Sequence, residues 1–119
     1  MTDDNEQNTP FERLPQVVQA YLTTHQSGDD AAALETFTAD AVVIDEGHTY
    51  RGTQEIADWM GKAAGEYTYT TDFVGATTTD AASVDVLQHL EGDFPGGEAD
   101  LHFRFSLDGA LIARLVIEP

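Results

Sequence analysis

One carboxylate, Asp45, ends an apolar run and has the setting that proton transfer requires. Three β-branched residues precede it at positions 42 to 44, and a short turn-rich link follows it. That link leads into a helical pattern that carries the only tryptophan, Trp59. A carboxyl group that moves from water into an apolar pocket has a raised pKa, as a group that accepts and returns protons needs. Asp45 is therefore the first candidate for a catalytic base.

The direction in which Asp45 points is left open by the sequence. Side chains alternate between the two faces of a strand, so Val43 and Asp45 share one face. Val42 and Ile44 share the other face, which is equally apolar. If Asp45 points inward, it is available for chemistry. If it points outward, it is a hydrogen-bonded carboxylate of the turn.

The four histidines offer no metal-binding motif of the His-Glu-x-x-His kind. Only His89 and His102 can be brought close together, on an outward face, and two ligands do not close a zinc site. We therefore expect no metal and no cofactor. His48 follows Asp45 in the turn and is either exposed to solvent or reaches the mouth of a pocket, so we keep it as a candidate ligand-binding residue.

The composition restricts the partners of this 119-residue chain. Its net charge of −17, from 22 acidic and five basic residues, repels phosphate backbones and anionic membranes. This acidity is explained either by solubility or by salt adaptation. No cysteine is present, so disulfides and thiolate chemistry are excluded. With no signal peptide and no long apolar run, we expect a cytoplasmic protein.

The hydrophobic periodicity changes from helical to strand-like along the chain. We expect an acidic, disordered tail over 1–10, and one domain over 11–119. Helical spacing predicts helices over 11–26 and 54–64, with a short one between them that the Ser27-Gly28-Asp29-Asp30 segment caps. A strand is predicted over 41–45, with a short segment at 49–51 that pairs back on it, and four more over 67–78, 83–91, 99–107 and 111–118. This order predicts an α+β fold, in which three N-terminal helices pack on the concave face of one curved antiparallel sheet.

Alternation also predicts which side chains of the later strands face the core. Two sets are expected inside: Leu101, Phe103, Phe105 and Leu107 on one strand, and Val84, Val86, Gln88 and Leu90 on its neighbour. Gln88 is the polar member, suited to orient a ligand by hydrogen bonding. A hairpin turn centred near Pro95 would place His89 opposite His102 and Gln88 opposite Phe103. A register shifted by two residues stays open, because the loop length is inferred.

Five motifs stand out along the chain: Tyr21 followed by Ser27-Gly28-Asp29, Phe37-Thr38-Ala39-Asp40-Ala41, Asp45, Tyr50-Arg51-Gly52 followed by Ile56 and Trp59, and Gly92-Asp93-Phe94-Pro95-Gly96. Together they resemble the nuclear transport factor 2-like superfamily, and specifically its SnoaL-like branch of ketosteroid isomerase and polyketide cyclase relatives. The resemblance extends from about Leu14 to the end of the chain. It implies a cone-shaped domain, with a sheet that is mixed at one edge, and a homodimer formed through the outer sheet face.

The same resemblance assigns roles to two residues. Asp45 stands where ketosteroid isomerases have their general base, and Tyr21 where they have the tyrosine that donates a hydrogen bond to the enolate oxygen. Those enzymes have a second donor, a protonated aspartate, and this chain has Phe103 at the matching inward position. Losing one such donor costs ~10²–10³ in rate, so steroid isomerisation is in doubt.

Two functions remain open from the sequence. The first is binding of a small hydrophobic molecule, cyclic or carbonyl-bearing, with acid–base turnover of the isomerase, cyclase or lyase type at Asp45 and Tyr21. The second is a non-catalytic accessory or protein-interaction domain with a filled interior. The candidate ligand-contacting residues are Trp59, Gln88, Phe103, Phe105 and His48.

Overall fold

Three α-helices and six strands make up the part of the chain that the structure, a computed structural model, describes: residues 9–66 and 68–119, without the side chains of 63–66. The helices are α1 (Gln16–Ser27), α2 (Asp30–Leu34) and α3 (Gly52–Glu66). The strands are β1 (Phe37–Asp45), β2 (His48–Arg51), β3 (Tyr69–Asp80), β4 (Ser83–Gly92), β5 (Glu98–Asp108) and β6 (Leu111–Glu118). None of the described helices is long and apolar enough to cross a membrane.

All six strands belong to one sheet in the order β2-β1-β6-β5-β4-β3. The β1–β6 pair is parallel, and the other four neighbouring pairs are antiparallel. The sheet is therefore mixed near one edge and is not closed into a barrel. The predicted α+β fold class is confirmed.

The first helix begins later than the periodicity predicts. Phe11–Arg13 forms only a short 3₁₀ turn, and α1 starts at Gln16. Leu14 has an extended backbone with ψ of 155°, as expected for a residue whose helical conformation is opposed by a following proline, here Pro15. Gly28 ends α1 with a φ of 77°, and the Asp29 side chain accepts a hydrogen bond from the Ala32 N–H to cap α2.

Strand β1 begins at Phe37, four residues before the predicted strand over 41–45. Ala39 and Asp40 have low strand propensity, so the sequence pattern does not predict this extension of the strand. The β1–β6 register shifts between Phe37 and Val42, which allows the strand to continue past these residues. Phe37 is buried at the start of this strand.

The predicted register of the β4–β5 hairpin is wrong by two residues. His89 lies opposite Asp100, Gln88 opposite Leu101 and Val86 opposite Phe103. The observed pairs are centred between Phe94 and Pro95, one residue earlier than the predicted pairs imply. A shift of two residues preserves the side-chain alternation, so the predicted inward faces of both strands are unaffected.

The core lies between the sheet and the helices. Helix α1 contributes Val18, Tyr21 and Leu22, and α3 contributes Ile56, Trp59 and Met60, which the sequence pattern also placed inside. Three predictions lie outside the described residues: most of the tail, the burial of Ala63 and the strand start at position 67. Thr9, at the end of the predicted tail, donates its backbone N–H to the Ala76 carbonyl of β3 at 2.8 Å.

Candidate functional site

Asp45 faces the interior of the domain. It lies on the same side of β1 as the buried residues Ala41 and Val43, and its side chain is only partly exposed. Trp59 of α3 donates its indole Nε1–H to Asp45 Oδ2 at 3.0 Å. Strand alternation alone leaves the direction of Asp45 open. The indole N–H of Trp59 on α3 decides this direction, because it needs an acceptor on the inner face of the sheet.

The surroundings of Asp45 favour its protonated form. Burial is the largest cause that raises the pKa of this carboxyl group, and the negative charge of Glu46 adds to it. The hydrogen bond from Trp59 and the charge of His48 act in the opposite direction without cancelling the shift. A raised pKa makes a carboxylate a stronger base, which suits a group that takes up and returns a proton.

A cleft of about 350 Å³ opens beside Asp45. Its walls come from residues 44–47 at the end of β1, from Leu101 of β5, and from residues 116–119 at the end of β6. Leu101 and Ile117 provide apolar surface next to the carboxyl group. The cleft therefore lies at the end of the sheet where β1 and β6 stop, with Asp45 in its wall.

Tyr21 is the second predicted catalytic residue, and its side chain is fully buried. The ring stacks on His25 with centroids 5.5 Å apart and makes edge contacts with Phe37 and Phe105, both at 5.6 Å. Its hydroxyl has no hydrogen-bond partner among the described residues. Burial, followed by the charges of Tyr69, Asp45 and Asp30, raises the pKa of Tyr21, so its hydroxyl remains a proton donor at any physiological pH.

The predicted ligand-contacting residues divide into a buried group and one exposed residue. Trp59, Phe103 and Phe105 are 5%, 3% and 1% exposed, so they fill much of the interior. Gln88 is buried too, and within the described residues its Nε2 has no acceptor. His48, by contrast, is exposed opposite Asp45 in the β1–β2 hairpin, so it acts on Asp45 through its charge.

The expected pairing of His89 with His102 is wrong because of the register shift. His89 instead has its Nδ1 2.6 Å from Asp100 and its Nε2 3.0 Å from Glu91 and 3.4 Å from Glu98. Asp100, followed by Glu91, raises the pKa of His89. Ligand atoms of His89, Glu91 and Glu98 lie within 4.8 Å of one another, although we expected no metal-binding group. The sequence contained the signal, because residues 89 and 91 must share one face of a strand.

Sequence reasoning missed three polar residues near Tyr21. His25 lies one helical turn after Tyr21 on α1, and burial lowers the pKa of its imidazole. Asp30 begins α2, and Tyr69 begins β3. The spacing of four residues between Tyr21 and His25 was a visible signal. The approach of Asp30 and Tyr69 depends on tertiary packing.

Solved structures show what this arrangement is similar to. A candidate polyketide cyclase from Sinorhizobium meliloti is 32% identical, with a TM-score of 0.86 over 92% of this chain and 99% of that chain. The Δ5-3-ketosteroid isomerase of a Mycobacterium species is 20% identical, with a TM-score of 0.73 over 87% of this chain and 90% of that one. A Mycobacterium tuberculosis protein, in complex with estradiol-17β-hemisuccinate, is 16% identical, with a TM-score of 0.73 over 86% and 89%.

The two mycobacterial structures share the fold, and the Sinorhizobium protein also shares enough sequence to define the family. No protein-family model matches the chain, and no curated protein matches it. This chain belongs to the SnoaL-like branch of the nuclear transport factor 2-like superfamily.

Proposed function

We propose that this domain binds a small hydrophobic carbonyl compound and transfers a proton on it, with Asp45 as the base. The observation that carries the proposal is the inward-facing Asp45, whose pKa burial raises, at the end of an open cleft. A buried, partly desolvated carboxyl group is costly to maintain unless it has a use. Asp45 and Tyr21 are proposed as the catalytic pair.

The chemistry would begin at the carboxylate form of Asp45. Trp59 occupies Oδ2, which leaves Oδ1 to take a proton from the carbon next to the carbonyl group. The C–H electrons move into a new C=C bond, and the carbonyl oxygen gains negative charge. The Tyr21 O–H donates a hydrogen bond to that oxygen.

Asp45, now protonated, determines the outcome by where it returns the proton. If the substrate has a C=C bond next to the deprotonated carbon, the product of the first step is a dienolate, and return of the proton to its far carbon gives an isomer and regenerates the carboxylate. Alternatively, attack of the enolate carbon on a second carbonyl group of the same molecule gives a ring, as in an aldol-type cyclisation. Asp45 then gives its proton to the alkoxide oxygen formed at that second carbonyl group, and the carboxylate is again regenerated. In both cases no cofactor is required for the electron balance.

The structural relatives support a ligand of this class. One mycobacterial relative is a ketosteroid isomerase, and the other is a protein in complex with estradiol-17β-hemisuccinate. In this chain, Leu101 and Ile117 give the cleft beside Asp45 an apolar wall that suits a hydrophobic ligand.

The second candidate is a non-catalytic accessory or protein-interaction domain. The burial of Trp59, Phe103 and Phe105 favours it, since these rings fill the space that a large ligand would need. The unpartnered Tyr21 hydroxyl and Gln88 amide favour the first candidate, because a filled, purely structural interior gains nothing from two buried donors without acceptors.

Proton exchange on a simple bicyclic ketone tests the proposed function. The protein is incubated with 1-decalone in D₂O, and loss of the proton signals next to the carbonyl group is followed by NMR. We expect Asp45→Asn to slow the protein-catalysed exchange by about 10² or more, because it removes the general base. Asp40→Asn, an exposed change on the same strand, is the matched control and should exchange at the wild-type rate. Equal exchange rates in wild type and Asp45→Asn would refute the role of Asp45.

A further inference from the structure

Tyr69 is a second phenol on the inner side of the sheet. It shares one face of β3 with the buried Thr71, and it is itself half-buried. Its ring lies 6.5 Å from the ring of His25, which in turn stacks on Tyr21 at 5.5 Å. The three rings form a row that leads from the Tyr21 ring to the start of β3.

The electrostatic environment of Tyr69 resembles that of Tyr21. Burial raises the pKa of Tyr69, and the charges of Asp45 and Asp30 raise it further. After burial, the charge of Tyr69 is the largest cause that raises the pKa of Tyr21. The two phenols are therefore close enough to interact with each other and with the same two carboxylates.

The motif at residues 92–96 holds Tyr69 in place. A Cβ atom at Gly92 would lie 2.4 Å from the Cβ of Tyr69, so only glycine permits this approach. The backbone N–H of Asp93 donates to the Thr68 carbonyl, and the Asp93 carboxylate accepts from the Thr68 N–H. The Phe94 ring meets the Tyr69 ring edge-on at 6.4 Å. Gly92, Asp93 and Phe94 thus give the turn a positioning role.

We propose that Tyr69 is the second hydrogen-bond donor of the site, and that with Tyr21 it holds the acceptor oxygen of a neutral ligand. This inference rests on the proposed function. Tyr69 would provide the hydrogen-bond donor that Phe103 lacks, because a phenylalanine side chain has no donor group. The fully buried Tyr21 hydroxyl lacks an acceptor among the described residues, and a ligand oxygen would provide one for both phenols.

The acids around the two phenols restrict the charge of the ligand. Asp45 and Asp30 both act on Tyr21 and Tyr69, and the whole chain carries a net charge of −17. A carboxylate bound at these phenols would be repelled by the charges of both acids in a partly desolvated space. A ketone oxygen accepts the same hydrogen bonds without that penalty.

Calorimetric binding of two matched probes, 1-decalone and decalin-1-carboxylate, tests the inference. We expect the wild-type protein to bind the ketone more tightly than the carboxylate. Tyr69→Phe removes only the hydroxyl and should weaken ketone binding by about 3–10-fold, the loss typical of one hydrogen bond. Tyr50→Phe makes the same chemical change on β2, outside the row of rings, and should bind the ketone like wild type.

Each result decides a different claim. If 1-decalone binds and Tyr21→Phe weakens it while Tyr69→Phe does not, Tyr69 is not a donor and the proposed function stands. If decalin-1-carboxylate binds as tightly as the ketone, the requirement for a neutral ligand is wrong. If neither probe binds the wild-type protein, both this inference and the proposed function fail. If Tyr69→Phe unfolds at the same temperature as the wild-type protein, a loss of ketone affinity in this variant is not caused by a loss of its fold.

Discussion

The position of Asp45 in the fold determines the pKa of its carboxyl group. The same carboxyl group in water would be an ordinary acid, but beneath Trp59 it loses solvent on one side and gains one indole hydrogen bond. Burial raises the pKa of Asp45 by more than that hydrogen bond lowers it. The residue is therefore suited to proton exchange, and its charged form destabilises the folded protein.

This balance predicts how stability depends on pH. Because the folded protein holds the Asp45 proton more tightly than the unfolded chain does, stability falls as pH rises from the ordinary pKa of 3.8 through the raised folded-state pKa. Asp45→Asn has no such charge and can still accept from Trp59. We expect urea denaturation to show that the variant is more stable than wild type at pH 7 and that the difference vanishes near pH 3.8.

The exposed substitution Asp40→Asn controls for the general effect of removing one negative charge. Its stability relative to wild type should change less with pH than that of Asp45→Asn. A gain that is the same in both variants would mean that net charge, and not burial of Asp45, is the cause.

At the scale of elements, the β4–β5 turn is coupled to the start of β3. Strand β3 begins with Tyr69 directly beside Gly92, and the Thr68–Asp93 hydrogen bonds join the two segments in both directions. The turn is therefore more than a connection between two strands. It determines where the first inward side chain of β3 lies.

Gly92→Ala tests this coupling. The added Cβ would lie 2.4 Å from the Thr68 carbonyl oxygen and from the Cβ of Tyr69, and neither atom belongs to a flexible side-chain end. We expect a loss of about 1–3 kcal/mol in the free energy of unfolding, measured with urea. The control is Gly61→Ala on α3, where no atom lies within 4 Å of the new Cβ, and it should stabilise the helix by roughly 0.5–1 kcal/mol. Equal effects of both changes would rule out the close packing at Gly92.

At the scale of the whole molecule, the outer face of the sheet is the surface that we propose for a homodimer. A groove of about 200 Å³ lies there, lined by Val74, Leu87 and His102 among others. Val74 is 56% exposed, which is unusual for a large apolar side chain in this protein. Burying this face against a second copy would remove apolar surface from water.

Leu87→Lys tests the proposed dimer. We expect light scattering to give the wild-type protein about twice the 12.9 kDa mass of one chain and the variant the mass of a single chain. A buried lysine facing its symmetry mate would oppose association. Leu111→Lys, at the exposed leucine that begins β6, should remain a dimer. Because both copies carry a net charge of −17, dimerisation should also strengthen with added salt. A wild-type protein that is monomeric at all salt concentrations would exclude this interface.

Local information in the sequence accounts for most of the fold. The period of apolar residues distinguishes α1 and α3 from the later strands, and Gly28 and Asp29 place the break between α1 and α2. The alternation in β4 and β5 places Gln88, Phe103 and Phe105 inside even though the predicted register is wrong by two residues. These features depend on neighbours within a few positions, so they can be read from one chain.

The composition of the site could be predicted only in part. Asp45, Tyr21 and Trp59 were identified from sequence, whereas Tyr69 and Asp30 were not. The latter two approach Tyr21 through the packing of α1 on β3 and α2, which no local pattern encodes. The direction of Asp45 also depended on a distant partner, the indole of Trp59 fourteen residues later.

The sequence by itself thus determined the elements, their order and the inward faces, because period and turn chemistry are local properties of the chain. The tertiary structure decided which way Asp45 points, which acids surround the two phenols, and which histidine meets which carboxylate. Those facts depend on register and on packing between elements far apart in sequence, where one shift of two residues exchanges one partner for another.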